Sequence, residues 1–267
     1  MRQLISLLLV AFSCWAPTVA AAQPVRVGAY HFPPYVIKPE SESPAGVLPE
    51  LLTALNDAQD NYRFSLVPTS VTRRYRDFQQ ARYDLILFES PDWGWQDTAL
   101  DRLDLHIADA EVYVARRMAG RDQSFFDSLK GKRMALYTGY HYGFANFNAE
   151  QEYLVRQFQA SLTYSHDSNL LMLLHDRADV SVVTRSYLPI FQREYPRESE
   201  QLLISQRADQ VYHHHALLRP GAPLNPAQLS SLLQLLRDSG KLPELLGRYH
   251  LRGSAGTDME IGDPIRH

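Results

Sequence analysis

Short apolar runs alternate with helical patterns along most of this sequence, and this alternation limits the folds that the chain can adopt. Residues 25–30, 64–67 and 84–88 are patterned as buried strands. Between the first two, leucines recur at positions 48, 51, 52 and 55, the spacing of an amphipathic helix, and residues 72–81 form a shorter helical pattern. This β-α-β-α-β order predicts an α/β fold with a parallel sheet covered by helices.

The same alternation continues in the second part of the chain. Strand patterns cover residues 111–115, 133–137, 162–164, 180–183 and 211–218. Helical patterns begin near residues 139–143 and at 170, and leucines at 229, 232, 233 and 236 form a second amphipathic stripe. We therefore expect a second parallel unit and closing helices, followed by a flexible tail over residues 251–267.

The first 22 residues have the pattern of a signal peptide. Arg2 precedes an apolar run over residues 4–12 that is too short to span a bilayer, and Ala20 and Ala22 form an A-x-A cleavage site. The alternative is a lipoprotein acylated at Cys14, but residues 11–13 lack the leucine usual three positions before such a cysteine. Cleavage after Ala22 predicts a periplasmic protein whose mature chain has no cysteine.

Composition and charge exclude several classes of function. The chain has 27 basic and 30 acidic residues, which argues against nucleic-acid binding. Its single cysteine excludes a disulfide framework and a cysteine-based zinc site. In the histidine run at 213–215, adjacent side chains of a strand face opposite sides, so at most two histidines converge, which favours a hinge or edge strand. We expect no metal ion and no other cofactor.

Four segments occur in the order and spacing of a known family. They are VRVG with FPPY at residues 25–35, GVLPELL at 46–52, LKGKRMA with YTG at 129–139, and DSGKL with RY at 238–249. Together they resemble the periplasmic solute-binding proteins that serve polar amino-acid transporters, the family 3 receptors with a type II fold. The resemblance covers residues 25 to about 251.

The resemblance implies a two-lobed α/β protein with a ligand cleft between the lobes. Each lobe would be a mainly parallel sheet flanked by helices, with lobe one at residues 23–111 and 216–250 and lobe two at 112–215. Two crossings, near 111–115 and 214–218, would form the hinge about which the lobes close on a ligand.

The implied function is that of a monomeric, non-catalytic receptor. It would trap a small polar solute that carries a carboxylate, such as an amino acid, and deliver it to an ABC transporter or a membrane sensor. Two alternatives stay open: a dehydratase-like enzyme on the same fold, and an interaction module that has lost ligand binding.

Open α/β sheets bind ligands at the carboxyl ends of their strands, and eight residues in the loops there are candidate ligand contacts. They are Tyr30, Phe32, Arg74, Glu89, Trp93, Thr138, Tyr140 and Thr184. The aromatic side chains would form the pocket walls, and Arg74 would bind a carboxylate together with backbone amides after Thr138. The structural alternatives are solvated arginines, tryptophans packed onto their own lobe, and an ordinary helix cap at Thr138.

Two departures from the family pattern bear on the ligand. The family's Thr-x-x-Arg element, whose arginine grips a carboxylate, has no arginine at the corresponding place here, so Arg74 is the predicted anchor and Arg73 and Arg102 are alternatives. Thr184 stands where many relatives carry an aspartate that binds an ammonium group. Glu89 or Asp167 would then supply the negative charge.

Overall fold

The computed structural model describes residues 21–251. Its strands are β1 (Gln23–Ala29), β2 (Tyr62–Pro68), β3 (Leu85–Glu89), β4 (Asp101–Arg116), β5 (Met134–Tyr137), β6 (Ser161–Thr163), β7 (Val180–Thr184) and β8 (Leu202–Leu218). Its α-helices are α1 (Val47–Asp57), α2 (Arg74–Gln79), α3 (Gln151–Phe158), α4 (His166–Leu174), α5 (Leu188–Glu194), α6 (Pro196–Ser199), α7 (Pro226–Asp238) and α8 (Lys241–Arg248). The predicted signal peptide and tail lie almost entirely outside the described residues.

The strands form one sheet in the order β2-β1-β3-β8-β4-β7-β5-β6. At one end, β1 pairs in parallel with β2 and β3, and α1 packs on β2 and against α7 and α8; this unit is lobe one. At the other end, β5 pairs in parallel with β6 and β7, and α3 and α4 pack on these strands; this unit is lobe two. The predicted two-lobed α/β architecture, with helices flanking a parallel unit in each lobe, is confirmed.

Two long antiparallel strands, β4 and β8, connect the lobes. In lobe one, β8 pairs with β3 as far as His215, opposite Glu89. In lobe two, β4 pairs with β7 from Glu111, opposite Thr184. Between these pairings, residues 108–110 of β4 pair with residues 211–213 of β8, and we call this segment the connecting ribbon.

The position of the ribbon corrects one prediction and refines another. The second crossing lies earlier in the chain than the predicted 214–218, because Leu217 and Leu218 pair with β3 inside lobe one. The first crossing lies just before the predicted 111–115, because Val112, Tyr113 and Val114 pair with β7 inside lobe two. The lobe boundaries at 111/112 and 215/216 stay a prediction.

The predicted helix near residues 139–143 is also corrected. The chain forms a single 3₁₀ turn at Gly143–Ala145, and the next helix is α3. Asn146 and Phe147 both have a positive φ, which a right-handed helix cannot include. These two residues therefore separate the turn from α3.

The core is built from the leucine stripes found in the sequence. Helix α1 buries Leu48, Leu51, Leu52 and Leu55, and α7 buries Leu229, Leu233 and Leu236. Each fully buried leucine stabilises the fold by about 1.5–3 kcal/mol. None of the helices in residues 21–251 has both the length and the apolar character needed to cross a bilayer.

Candidate ligand-binding site

A small pocket lies between the lobes, beside the connecting ribbon. Its walls come from both lobes and from the two long strands: Tyr30, Phe32, Val71, Arg74, Trp93, Glu111, Gly139, Tyr140, His141 and Gln210. The enclosed space has room for a group about the size of one water molecule. The side chains of the two lobes therefore fill most of the cleft between them.

The loop after β1 carries one side of the pocket, and the glycine at the end of this loop allows it to pack. Gly46 has a φ of 105°, and a side chain there would come within 2.6 Å of the Pro34 carbonyl oxygen. The amides of Val47 and Leu48 then donate to the carbonyls of Pro34 and Tyr35. Two of the segments that carry the family resemblance are thus in direct contact.

Four buried aromatic rings surround the pocket, and Phe32 contacts the other three. Its ring centroid lies 5.8 Å from Tyr30, 5.9 Å from Trp93 and 5.7 Å from Tyr140. The rings of Trp93 and Tyr140 are nearly perpendicular to Phe32, the edge-to-face arrangement that aromatic pairs favour. Because Tyr140 belongs to lobe two, its contact with Phe32 joins the lobes.

Arg74 and Glu89 form an ion pair inside lobe one. The Arg74 Nε lies 3.3 Å from a Glu89 carboxylate oxygen, and both side chains are buried. The other Glu89 oxygen accepts a hydrogen bond from Trp95 Nε1 at 2.7 Å. Burial opposes a charged guanidinium, but Glu89, with smaller contributions from three neighbouring tyrosines, outweighs it and raises the pKa of Arg74. Arg74 therefore remains protonated and already has a carboxylate partner.

The remaining Arg74 contacts also lie within lobe one. Its terminal nitrogens donate to the backbone carbonyls of Val71 and Trp93. The centre of the guanidinium lies 4.4 Å from the Tyr75 ring centroid and 5.0 Å from that of Tyr30, within the range of cation–π attraction. Both its charge and its donors are thus used to hold the loops after β2 and β3 together.

Glu111, on β4 next to the ribbon, faces the pocket with one unpaired oxygen. Its Oε1 accepts hydrogen bonds from Thr184 Oγ1 at 2.9 Å and from Tyr212 OH at 3.1 Å. Its Oε2 has no hydrogen-bond partner among the described residues, although the side chain is only 2% exposed. Burial raises the pKa of Glu111 well above its usual range; Thr184 opposes this shift and the charge of Asp109 adds to it.

Two other polar atoms of the pocket-lining residues, Tyr140 OH and His141 Nδ1, are buried and have no hydrogen-bond partner within residues 21–251. Burial, with a smaller contribution from the charge of Arg74, lowers the pKa of His141 to about 3, so this imidazole is neutral at pH 7. Burial also raises the pKa of Tyr140, so its hydroxyl is neutral too. Both groups line the pocket and are available to a ligand as neutral hydrogen-bonding groups.

Polar contacts bridge the cleft on both sides of the ribbon. Trp93 Nε1 donates to Gln210 Oε1 at 3.1 Å, and the Gln210 amide donates to the His141 carbonyl. Asp109 accepts from Tyr35 OH of lobe one at 2.6 Å and from Ser186 Oγ of lobe two at 2.5 Å. The side chains of β4 and β8 therefore act as bridges between the lobes.

The sequence matches no protein-family model and no curated protein at a significant level. Among solved structures, the GluR0 ligand-binding core from Nostoc punctiforme in complex with L-glutamate aligns with a TM-score of 0.65 at 16% identity, covering 85% of this chain and 99% of that one. A histidine kinase sensor domain with similarity to periplasmic binding proteins aligns at 0.64 with 19% identity, covering 86% and 96%. The substrate-binding protein of an amino-acid ABC transporter aligns at 0.61 with 16% identity, covering 85% and 98%. This chain has the periplasmic-binding-protein fold.

The periplasmic-binding-protein fold places five of the eight predicted residues on the pocket wall: Tyr30, Phe32, Arg74, Trp93 and Tyr140. The other three lie behind the wall. Glu89 pairs with Arg74, and Thr184 donates to Glu111. Thr138 is buried beside Gly139, and its amide donates to the Thr163 carbonyl at 2.8 Å. The role of all eight residues in ligand binding stays a prediction.

The alternative candidates lie away from the pocket. Arg73 and Arg102 are exposed, and Asp167 accepts a hydrogen bond from Tyr187 OH. Of the three consecutive histidines, His214 is buried while its neighbours point outward. Among residues 21–251, no three His, Cys, Asp or Glu side chains converge as a metal site requires.

Sequence reasoning missed Glu111, Gln210 and His141 as pocket residues. For Glu111 a signal was available, because a carboxylate within the predicted apolar strand at 111–115 is rarely buried without a reason. For His141 the signal was its position after the predicted strand at 133–137, in the same loop as Thr138 and Tyr140. Gln210 carries no such signal and reaches the pocket only because β8 meets that loop there.

We predict that Arg74→Met destabilises the protein by about 3–5 kcal/mol, because it leaves the buried Glu89 without its ion-pair partner. The matched control is Arg73→Met, which removes the adjacent, exposed arginine and should change stability by about 0.5 kcal/mol or less. Urea unfolding of both variants gives the free energies. Similar values for the two would show that the ion pair is not structural.

Proposed function

We propose that this protein is a periplasmic solute-binding receptor without catalytic activity. It would close its two lobes around a small polar solute and present the closed form to an ABC transporter or a membrane sensor. The observation that carries the proposal is a pocket between the lobes, lined from both of them, in which buried polar atoms of Glu111, Tyr140 and His141 have no partner within residues 21–251.

Buried polar atoms without partners are rare in folded proteins because each costs about 1–3 kcal/mol. Here three of them face the same pocket and sit among aromatic rings. A ligand that supplies matching hydrogen-bonding groups would recover that cost. Convergent polar groups in an otherwise apolar pocket between domains are typical of small-molecule sites.

The fold supports the same function. The similar structures include, by their own descriptions, a substrate-binding protein of an amino-acid ABC transporter, a histidine kinase sensor domain and a ligand-binding core holding L-glutamate. Uptake and sensing both require a conformational signal that ligand binding controls. The connecting ribbon, two strands wide, is the natural hinge for such a change.

The receptor function predicts a thermal shift with one solute class and compaction on binding. Screening amino acids, peptides, polyamines and organic acids should identify a ligand. At about 100 times its Kd, this ligand should stabilise the folded protein by about 2.7 kcal/mol and raise its unfolding temperature by about 5–10 °C. Small-angle scattering should then give a smaller radius of gyration at saturation. No stabilising compound in any class, together with an unchanged radius, would contradict the receptor function.

A second prediction concerns the close approach of the lobes at Gly139. A Cβ there would lie 3.0 Å from a Val71 methyl group across the cleft, so Gly139→Ala should hinder closure and weaken binding about tenfold or more. Gly131→Ala is the matched control, because that glycine has a similar positive φ but no neighbour within 4 Å of its Cβ. Both variants share the backbone strain, so calorimetry with the ligand from the screen isolates the contact. Equal affinities would contradict a closed-cleft role for Gly139.

A third prediction uses the two tryptophans of the loop after β3. Trp93 lines the pocket, whereas Trp95 packs on Phe78 and Tyr75 in the interior of lobe one. Trp93→Phe should therefore abolish a ligand-dependent change in tryptophan fluorescence, and Trp95→Phe should retain it. The reverse result would show that the ligand binds near Trp95 and not in this pocket.

A further inference from the structure

The charge of the pocket indicates what kind of solute it takes, and Glu111 is the starting point. It is a carboxylate at the wall of the pocket, 2% exposed, with one oxygen held by Thr184 and Tyr212 and the other unpartnered among the described residues. Asp109 lies two residues away on the same face of β4. This part of the cleft is therefore rich in carboxylates.

No cation of the pocket wall balances Glu111. Arg74 is the only lysine or arginine among the pocket-lining residues, and it pairs with Glu89 in lobe one. His141 is neutral. Placing a positive charge beside Glu111 would favour its ionised form and offset the burial that disfavours it. A cationic ligand group is therefore the partner that would keep Glu111 ionised in this pocket.

The aromatic rings favour the same charge. The faces of tyrosine, phenylalanine and tryptophan rings are negative, so they attract a cation placed over them. Tyr30, Phe32, Trp93 and Tyr140 all line the pocket. The enclosed space, about one water molecule in size, matches an ammonium group.

Several groups that would bind an anion already have partners within the protein. The amides of Thr138 and Tyr140 donate to the carbonyls of Thr163 and Tyr137. The guanidinium of Arg74 has a carboxylate and two backbone carbonyls as partners. A ligand carboxylate would have to displace Glu89 from Arg74 and would add a further negative charge near Glu111.

We propose that the pocket binds an organic amine by its ammonium group, with Glu111 as hydrogen-bond acceptor and the aromatic rings as walls, and that a carboxylate on the ligand weakens binding. This inference rests on the proposed receptor function and specifies its solute. It departs from the carboxylate-bearing solute that the family resemblance implies.

The test compares amines with the amino acids that differ from them by one carboxylate. The pairs are tyramine and tyrosine, histamine and histidine, cadaverine and lysine, and agmatine and arginine. In titration calorimetry with the full mature protein, at least one amine should bind, and at least about tenfold more tightly than its amino acid.

Glu111→Gln separates the charge of this side chain from its structural role. The glutamine carbonyl oxygen can still accept the hydrogen bonds from Thr184 and Tyr212, so the variant should fold with an unfolding midpoint at or above that of the wild type. Amine affinity should fall about ten- to hundredfold. The control is Asp101→Asn, which removes a negative charge from an exposed position on the same strand and should change the amine affinity less than about twofold.

The outcomes distinguish this inference from the receptor function. If amino acids or organic acids bind more tightly than the amines, or if Glu111→Gln binds the amine as tightly as the wild type, the amine inference is wrong while the receptor function stands. If none of the eight compounds and none of the screened solutes binds, both are wrong.

Discussion

The pairing of β4 with β8 is the contact on which the rest of the molecule depends. Asp109 and Glu111 on β4 lie opposite Tyr212 and Gln210 on β8, so these four side chains share one face of the sheet. All four reach the cleft or its borders, where they contact residues of both lobes. A shift of one strand by one residue would turn its two side chains to the other face, away from those of its partner strand. The register therefore sets the lobe arrangement and the pocket chemistry together.

The buried carboxylates of this region differ in how completely they are satisfied. Asp109 accepts from Tyr35, Ser186 and a backbone amide, and Asp209 from Tyr113 and the amides of Gly143 and Phe144. Hydrogen bonds of this kind offset part of the cost of burying a carboxylate, although burial still raises the pKa of both residues.

Glu89 and Glu111 have fewer partners than these two aspartates, and they differ from each other. Glu89 shares its charge with Arg74 and accepts from Trp95. Glu111 alone among these four carboxylates combines full burial, two neutral donors on one oxygen and none on the other. That asymmetry supports the ligand contact proposed for Glu111, because buried carboxylate oxygens usually have a partner.

Much of the fold follows from patterns visible in the sequence, because the leucine stripes and apolar strands directly determine which faces are buried. The site is less predictable. Arg74 was expected at the cleft and lies there, but its pairing with Glu89 depends on side-chain distances across 15 positions that periodicity does not encode. The predicted crossing near 214–218 is misplaced because one strand pattern, over residues 211–218, continues through both the ribbon and lobe one. Glu111 was missed because its strand was interpreted only as a crossing.

The aromatic contacts across the cleft have a consequence for how selective such a pocket can be. Phe32 and Tyr140 fill space that any ligand larger than an ammonium group must enter. Such a ligand must therefore replace the contact between the two rings with its own contacts to each ring. Observed affinity is then the difference between two sets of contacts rather than the strength of one. A compound that only fills the space gains little, because it replaces ring contacts of similar quality. Discrimination among solutes then depends on the polar groups of the pocket wall, those of Glu111, Tyr140 and His141.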